Sequence, residues 1–148
     1  MLVGSSSQGL LLVQAEVLQN ELASPRPFRV NAGAVALYTL TPNHKTKYLE
    51  ELVAGDEVLL VNREGIQRPS VVARSKIEVR PLILIEAQSS NGIIAKALLQ
   101  NAETIRLVTS KDSIPVTKIK PGDVILAHFQ KGGRHFGTLI SKESITEK

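Results

Sequence analysis

The chain is expected to be mainly β, with two duplicated small β-barrel-like units packed as one body. Three observations predict this. Short runs of branched apolar residues recur at strand length, each bounded by Gly, Pro, Asn or Ser. Clusters with tight-turn chemistry stand between such runs. Finally, a unit made of an apolar residue, two linkers, Gly-Asp and a strand occurs twice. Leu52-Val-Ala-Gly-Asp-Glu-Val-Leu59 lies over Ile119-Lys-Pro-Gly-Asp-Val-Ile-Leu126, an offset of 67 residues.

The strands are expected at 9–16, 34–40, 57–61 and 81–86. Asn62-Arg-Glu-Gly65 and Ser89-Ser-Asn-Gly92 read as tight turns, because Gly and Asn accept the positive φ that such turns require. Lys131-Gly-Gly133 reads as a third hairpin. Only Thr46–Leu52 has a modest helical claim. Residues 93–102 have helix-forming composition, but the preceding Asn91-Gly92 favours a hairpin strand. The repeat extends over about 46–80 and 114–145 within a single domain, 1–148, with one residue of slip where Ser75-Lys76 meets Ser141-Lys142. Gly55, Asp56, Gly122 and Asp123 are read as its turn formers.

Length and composition narrow the function classes. At 148 residues and 43% hydrophobic content the chain can bury a core. Cysteine is absent, which removes disulfide frameworks, thiol nucleophiles and the common structural zinc sites. His44, His128 and His135 are scattered without ligand spacing, so no metal is expected. No apolar run approaches the ~20 residues that span a bilayer, and Met1–Gln8 lacks the basic residues of a secretory signal. No membrane partner is expected, and a cytoplasmic location is. Lys and Arg number 18 against 14 Asp and Glu, a net charge of +4. That favours anionic partners. The charges alternate rather than cluster and aromatics are only 3%, so nucleic acid is not expected.

Several stretches hold candidate chemistry. Gly4-Ser-Ser-Ser-Gln-Gly9 is a hydroxyl-rich loop, either merely flexible or able to bind a phosphate or carboxylate through Ser5, Ser6 and Ser7. In Ser24-Pro-Arg-Pro-Phe-Arg-Val-Asn-Ala-Gly33, Pro25 and Pro27 restrict the backbone around Arg26, with Arg29 and Asn31 close behind. Two guanidinium groups on a stiff loop suit a carboxylate or phosphate. The alternative is an arginine paired with a glutamate of the chain itself. Lys76, Glu78 and Arg80 are expected to share one face of a strand, as a solvated and salt-bridged surface. Gln100, Asn101, Glu103, Thr104 and Arg106 place polar groups between apolar flanks, where a ligand or an internal network would complete their hydrogen bonds. His135, in Gly133-Arg-His-Phe-Gly137, could move protons or hold a hairpin. His44 reads as a turn residue and His128 as a strand residue.

Taken together these segments resemble archaeal-type 3-dehydroquinate synthase (3-dehydroquinate synthase II). The resemblance runs through Gly4–Gly9, Arg26-Pro-Phe-Arg-Val-Asn-Ala-Gly33, Lys45-Thr-Lys-Tyr-Leu49, Ala54-Gly-Asp-Glu-Val58, Lys76-Ile-Glu78, Leu99-Gln-Asn-Ala-Glu-Thr-Ile-Arg-Leu-Val108 and Arg134-His-Phe-Gly137, in that order. It implies NAD-dependent oxidative deamination of 2-amino-3,7-dideoxy-D-threo-hept-6-ulosonate, with ring closure to 3-dehydroquinate on the shikimate route. It also implies a polypeptide about twice this long, of which this would be the C-terminal half. The missing half, or a second copy, would then be the partner. Where the family carries His, this chain has Gln14 and Ala36. Residue chemistry then suggests roles: Arg26, Arg29, Asn31, Gln100, Asn101, Arg106 and Arg134 for the anionic substrate. Lys76, Glu103 and His135 would transfer protons, and Ser5, Ser6 and Ser7 would meet the NAD pyrophosphate. The competing functions are a non-catalytic β-barrel module that binds an anionic metabolite or a protein partner, and, on charge alone, a nucleic-acid binder.

Overall fold

The computed structural model describes residues 1–18 and 24–130, together with the backbone of 133–135 and 138–140. It is mainly β. Strands β1 (Leu2–Ser6) and β2 (Gly9–Leu12) form a hairpin at the middle of a five-stranded sheet. β3 (Tyr38–Thr41) and β4 (Lys45–Tyr48) extend it on one side, while Ala127–Phe129 closes the other side beside β2. A single 3₁₀ turn, Leu49–Glu51, comes after β4. The remaining strands pair as hairpins: β5 (Glu57–Val61) with β6 (Gln67–Val71), and β7 (Leu82–Gln88) with β8 (Ile94–Gln100). β9 (Arg106–Val108) pairs with β10 (Ser113–Pro115). After β11 (Ala127–Phe129) come β12 (Gly133–His135) and β13 (Thr138–Ile140), also paired.

The run Leu10-Leu-Leu-Val13 is buried throughout because it has apolar neighbours on both faces. Side chains alternate across a strand. Leu11 and Val13, with Val3, therefore enter one core with Leu37, Leu99, Ile105, Leu107 and Val116. Leu10 and Leu12, with Leu2, enter a second core with Leu40 and Leu59. β8 lies over the first core, with Ala95, Ala97 and Leu99 inward and fully buried. Its alanines allow close approach: a Cβ on Gly9 would stand 2.8 Å from the Ala95 methyl. Burying each of these Leu and Val side chains contributes about 1.5–3 kcal/mol.

The architecture corrects several expectations. Among the described residues no sheet closes into a barrel, since β4 and β11 remain as separate edges of an open order, β11-β2-β1-β3-β4. The repeated unit does recur as a turn. Asp56 Oδ2 accepts from Val53 N at 3.0 Å, and Asp123 Oδ2 accepts from Lys120 N at 2.8 Å. Gly55 and Gly122 have φ of 97° and 95°. The two turns lead into different structure, because Glu57 starts β5 at once whereas 124–126 form no strand. The Gly4–Gly9 stretch is a tight hairpin rather than a loop, with Ser5 and Ser6 in β1 and Ser7-Gln8 at its tip. Residues 72–81 form no strand, so Lys76, Glu78 and Arg80 are not on one. The helix expected over Thr46–Leu52 shrinks to the 3₁₀ turn, because 45–48 pair with β3. Lys131 and Gly132 of the third expected hairpin lie outside the described residues, and Gly133 begins a strand that pairs forward with β13.

Candidate functional site

Beyond β2 the chain leaves the sheet and runs along β9. Gln14 N donates to Arg106 O at 2.9 Å, beside a Val13–Leu107 bridge. Glu16 then bridges to Arg26: Arg26 N donates to Glu16 O at 2.5 Å and Glu16 N to Arg29 O at 2.9 Å. Arg29 N closes on Arg26 O at 2.9 Å, which makes Arg26-Pro27-Phe28-Arg29 a β-turn. Proline's fixed φ suits the second turn position. The turn brings its two terminal arginines together and leaves Phe28 fully exposed.

The Arg29 guanidinium meets the mostly buried Glu16 carboxylate, Nε to Oε1 at 3.2 Å. Arg29 is therefore paired within the chain, as in the alternative reading of this loop, while Arg26 is not paired with any described residue. Arg74 approaches from the segment after β6. Arg26, Pro27, Phe28, Arg29 and Arg74 line an open pocket of about 350 Å³. Three arginines line it and, among the described residues, only Arg29 is paired to a carboxylate, which leaves an excess of positive charge with the planar donor geometry that grips carboxylate or phosphate.

The loop after the turn is fastened to the end of β8. Asn31 Nδ2 donates to Gln100 Oε1 at 2.6 Å, and Ala34 N to Leu98 O at 2.9 Å. Gly33 lies between them at φ 101°, where a Cβ would stand 2.5 Å from Leu98 O. The amides of Asn31 and Gln100 thus brace the arginine turn. On the segment that runs along β9, Gln14 Oε1 is buried without a partner among the described residues.

The other expected site residues lie apart. Arg106 spends its guanidinium on Ser113, Nε to Oγ at 2.8 Å and Nη2 to the carbonyl at 2.5 Å, tying β9 to β10. Glu103 accepts from the Thr117 hydroxyl at 2.7 Å and faces Lys118 at 3.6 Å. Asn101 is exposed, with its N–H on Pro81 O at 2.9 Å. Lys76 pairs with Glu78 at 2.5 Å and Arg80 joins them at 3.3 Å. The Lys76 ammonium first, and then Arg80, hold the Glu78 carboxyl below its usual range. This is the solvated, salt-bridged surface expected of the three, on irregular backbone. The serine hairpin packs through Gly9 against Ile94 and Ala95, whereas the arginine turn is braced at Leu98 and Gln100. Those contacts lie three to six residues apart along β8, about 10–20 Å at strand rise. Arg134 and His135 lie in β12, and their side chains are outside the described residues.

Glu16 and Arg74 were not anticipated. Arg74 had a signal, since it continues the alternation Lys76, Glu78, Arg80 by one step backwards. Glu16 had none, as its link to Arg29 spans residues 17–28.

A family model described as 3-dehydroquinate synthase II C-terminal domain matches residues 1–148. The chain belongs to the 3-dehydroquinate synthase II family. It is 54% identical to the 3-dehydroquinate synthase of Methanosphaera stadtmanae over 149 aligned residues, covering all of this chain and 41% of that protein. The proteins of the same name from Methanothermobacter thermautotrophicus and Methanocaldococcus jannaschii are 52% and 53% identical, with 39% and 41% of their lengths covered. The chain thus spans about two fifths of the curated relatives it matches. No solved structure matches it. Among the described residues, no helix is long and apolar enough to cross a membrane.

Proposed function

We propose that this chain is the anion-recognising C-terminal part of a cytoplasmic enzyme of aromatic amino acid biosynthesis. The whole enzyme would oxidatively deaminate 2-amino-3,7-dideoxy-D-threo-hept-6-ulosonate with NAD, release ammonia and close the ring to 3-dehydroquinate. Family membership supports the reaction class. The observation that carries the reading is the pocket lined by Arg26, Arg29 and Arg74, of which, among the described residues, only Arg29 is paired to a carboxylate, that of Glu16. In this reading Arg26 and Arg74 hold the substrate carboxylate, and Glu16 fixes Arg29 at the rim.

Proton transfer is the role proposed for Lys76, Glu103 and His135. Lys76 lies two residues from Arg74, about 7 Å along extended backbone, and must leave Glu78 to act. Ser5, Ser6 and Ser7 do not fit a pyrophosphate cradle. Ser6 Oγ already accepts from Gln8 N at 3.2 Å, Gln8 O accepts from Gln130 N at 2.9 Å, and Gly4 and Gly9 are buried. In this reading the dinucleotide would be held away from the serine hairpin.

The test measures melting of the purified chain with and without the amino-heptulosonate, alongside NADH formation and ammonia release with NAD. Substrate should raise the melting temperature, and turnover should require the N-terminal portion. Losing one charge-assisted contact of about 1.5–3 kcal/mol, Arg26→Ala should weaken substrate binding roughly 10- to 150-fold without changing the melting of the free chain. Absence of any substrate-induced shift, or a shift indifferent to both Arg26→Ala and Arg74→Ala, would remove the pocket from the reaction.

A further inference from the structure

We infer that the stretch 74–80 and the outward face of the β7–β8 hairpin form the docking surface for the N-terminal portion of this family's polypeptide. The stretch is held at both ends. Val72 N donates to Asp56 O at 2.8 Å, and Pro81 O accepts from Asn101 N at 2.9 Å. Between them, residues 73–80 make no backbone hydrogen bond to any described residue. Lys76 and Arg80 both reach Glu78, which puts 76, 78 and 80 on one side of the backbone. Ile77 and Val79 are left on the other, 68% and 102% exposed. The strip continues into Leu82, Leu84 and Leu98, which alternate outward from β7 and β8 while their neighbours face the core.

A pinned stretch that is unpaired among the described residues and has apolar residues on one side is an open edge, and folded proteins cover such edges. Adding a strand to it would satisfy its N–H and C=O groups and bury Ile77 and Val79 together. The occupant is set by length. The match is to the family's C-terminal domain, and roughly three fifths of each relative lies outside it. A second copy is the poorer fit. Residues 74–80 carry Arg74, Lys76 and Arg80 against Glu78 alone, so pairing the stretch with itself would oppose two positive edges. Arg74 belongs both to this stretch and to the arginine pocket, so the docked portion would lie beside that pocket. The inference rests on the reading that turnover needs the N-terminal portion, and it is tested without turnover.

Amide hydrogen exchange is compared in this chain and in the full-length Methanosphaera stadtmanae protein, at the positions aligned with 76–80. They should exchange at nearly unprotected rates in this chain and at least about 100-fold more slowly in the full-length relative. In parallel, this chain and its Val79→Glu variant are co-expressed with the tagged N-terminal remainder of that relative. Val79→Glu should cut recovered complex about tenfold, with the melting temperature of the free chain unchanged because the side chain is exposed there. Fast exchange in the full-length protein overturns the inference. So does a Val79→Glu complex recovered at full yield. Protection of 76–80 in this chain alone, rising with concentration as a dimer forms, assigns the edge to a second copy and overturns it equally. Because no readout uses substrate, failure of the arginine pocket would leave these results untouched.

Discussion

Replacing Gly33 with alanine tests whether the arginine turn is rigidly seated on β8. Two costs add. The first is conformational: φ is 101°, and an L side chain in the left-handed region costs about 1–2 kcal/mol. The second is steric. The new Cβ would meet Leu98 O at 2.5 Å, Leu99 Cδ2 at 2.9 Å and Leu37 Cδ1 at 3.0 Å, against ordinary carbon contacts of about 3.5–4 Å. Leu37 and Leu99 are core residues and cannot swing aside, so the loop must move by roughly 1 Å. Overpacking of this kind costs about 1–3 kcal/mol. Gly55 supplies the control, with φ 97° and nothing within 4 Å of its would-be Cβ. Gly55→Ala therefore carries the conformational cost alone. The difference between the variants, about 1–3 kcal/mol, corresponds to a gap of roughly 3–12 °C in melting temperature for a chain of this size. Urea unfolding at constant slope measures it directly. Equal losses for the two variants would refute the seating of the loop, and with it the claim that Asn31 and Gly33 position Arg26 and Arg29.

Packing and charge set three further outcomes. Leu99→Ala, at a fully buried position, should cost about 2–5 kcal/mol in urea unfolding, and a loss below about 1 kcal/mol would place Leu99 outside the core. Gln14→Met removes a buried acceptor that has no described partner; stability should rise by about 1 kcal/mol, whereas an equal fall would show that Oε1 is bonded. Asp56 is held below its ordinary value of 3.8, first by the Lys47 ammonium and then by the Val53 amide. Its contribution is thus present above pH 3.8 and lost as pH falls through the lower folded value. The melting gap between the parent chain and Asp56→Asn should therefore close in acid, and a gap independent of pH would refute the pairing.

Local structure was legible in the sequence where it depends on neighbours along the chain. β5 occupies the expected residues, 57–61, and both Gly-Asp turns form because a carboxylate two or three residues from a free amide finds it by itself. The Ser89–Gly92 turn overrides the helix-forming composition of 93–102 for the same reason. What was not legible depends on distant partners. The Asn31–Gln100 bond spans 69 residues, so two amides that read as ligand groups turn out to bond each other. Arg106 likewise lies in a polar block, but only the β9–β10 pairing shows that Ser113 takes its guanidinium. Barrel closure is a property of sheet edges, and repeated turns say nothing about which edges meet.

The two-sided burial of the β1–β2 hairpin has a consequence for folding. In a sheet with one wet face, slipping a strand by one residue exposes its apolar set, and that penalty guards the register. Here both faces are apolar, so a slip of Leu10-Leu-Leu-Val13 would merely exchange one core for the other. Alignment must then come from shape and from single polar contacts. Gly9 admits Ala95 at a distance no larger residue permits, and the buried Thr39 hydroxyl donates to Leu2 O at 2.9 Å. Enlarging Gly9 would thus threaten which of two alternative pairings the chain adopts, more than how tightly it holds either one.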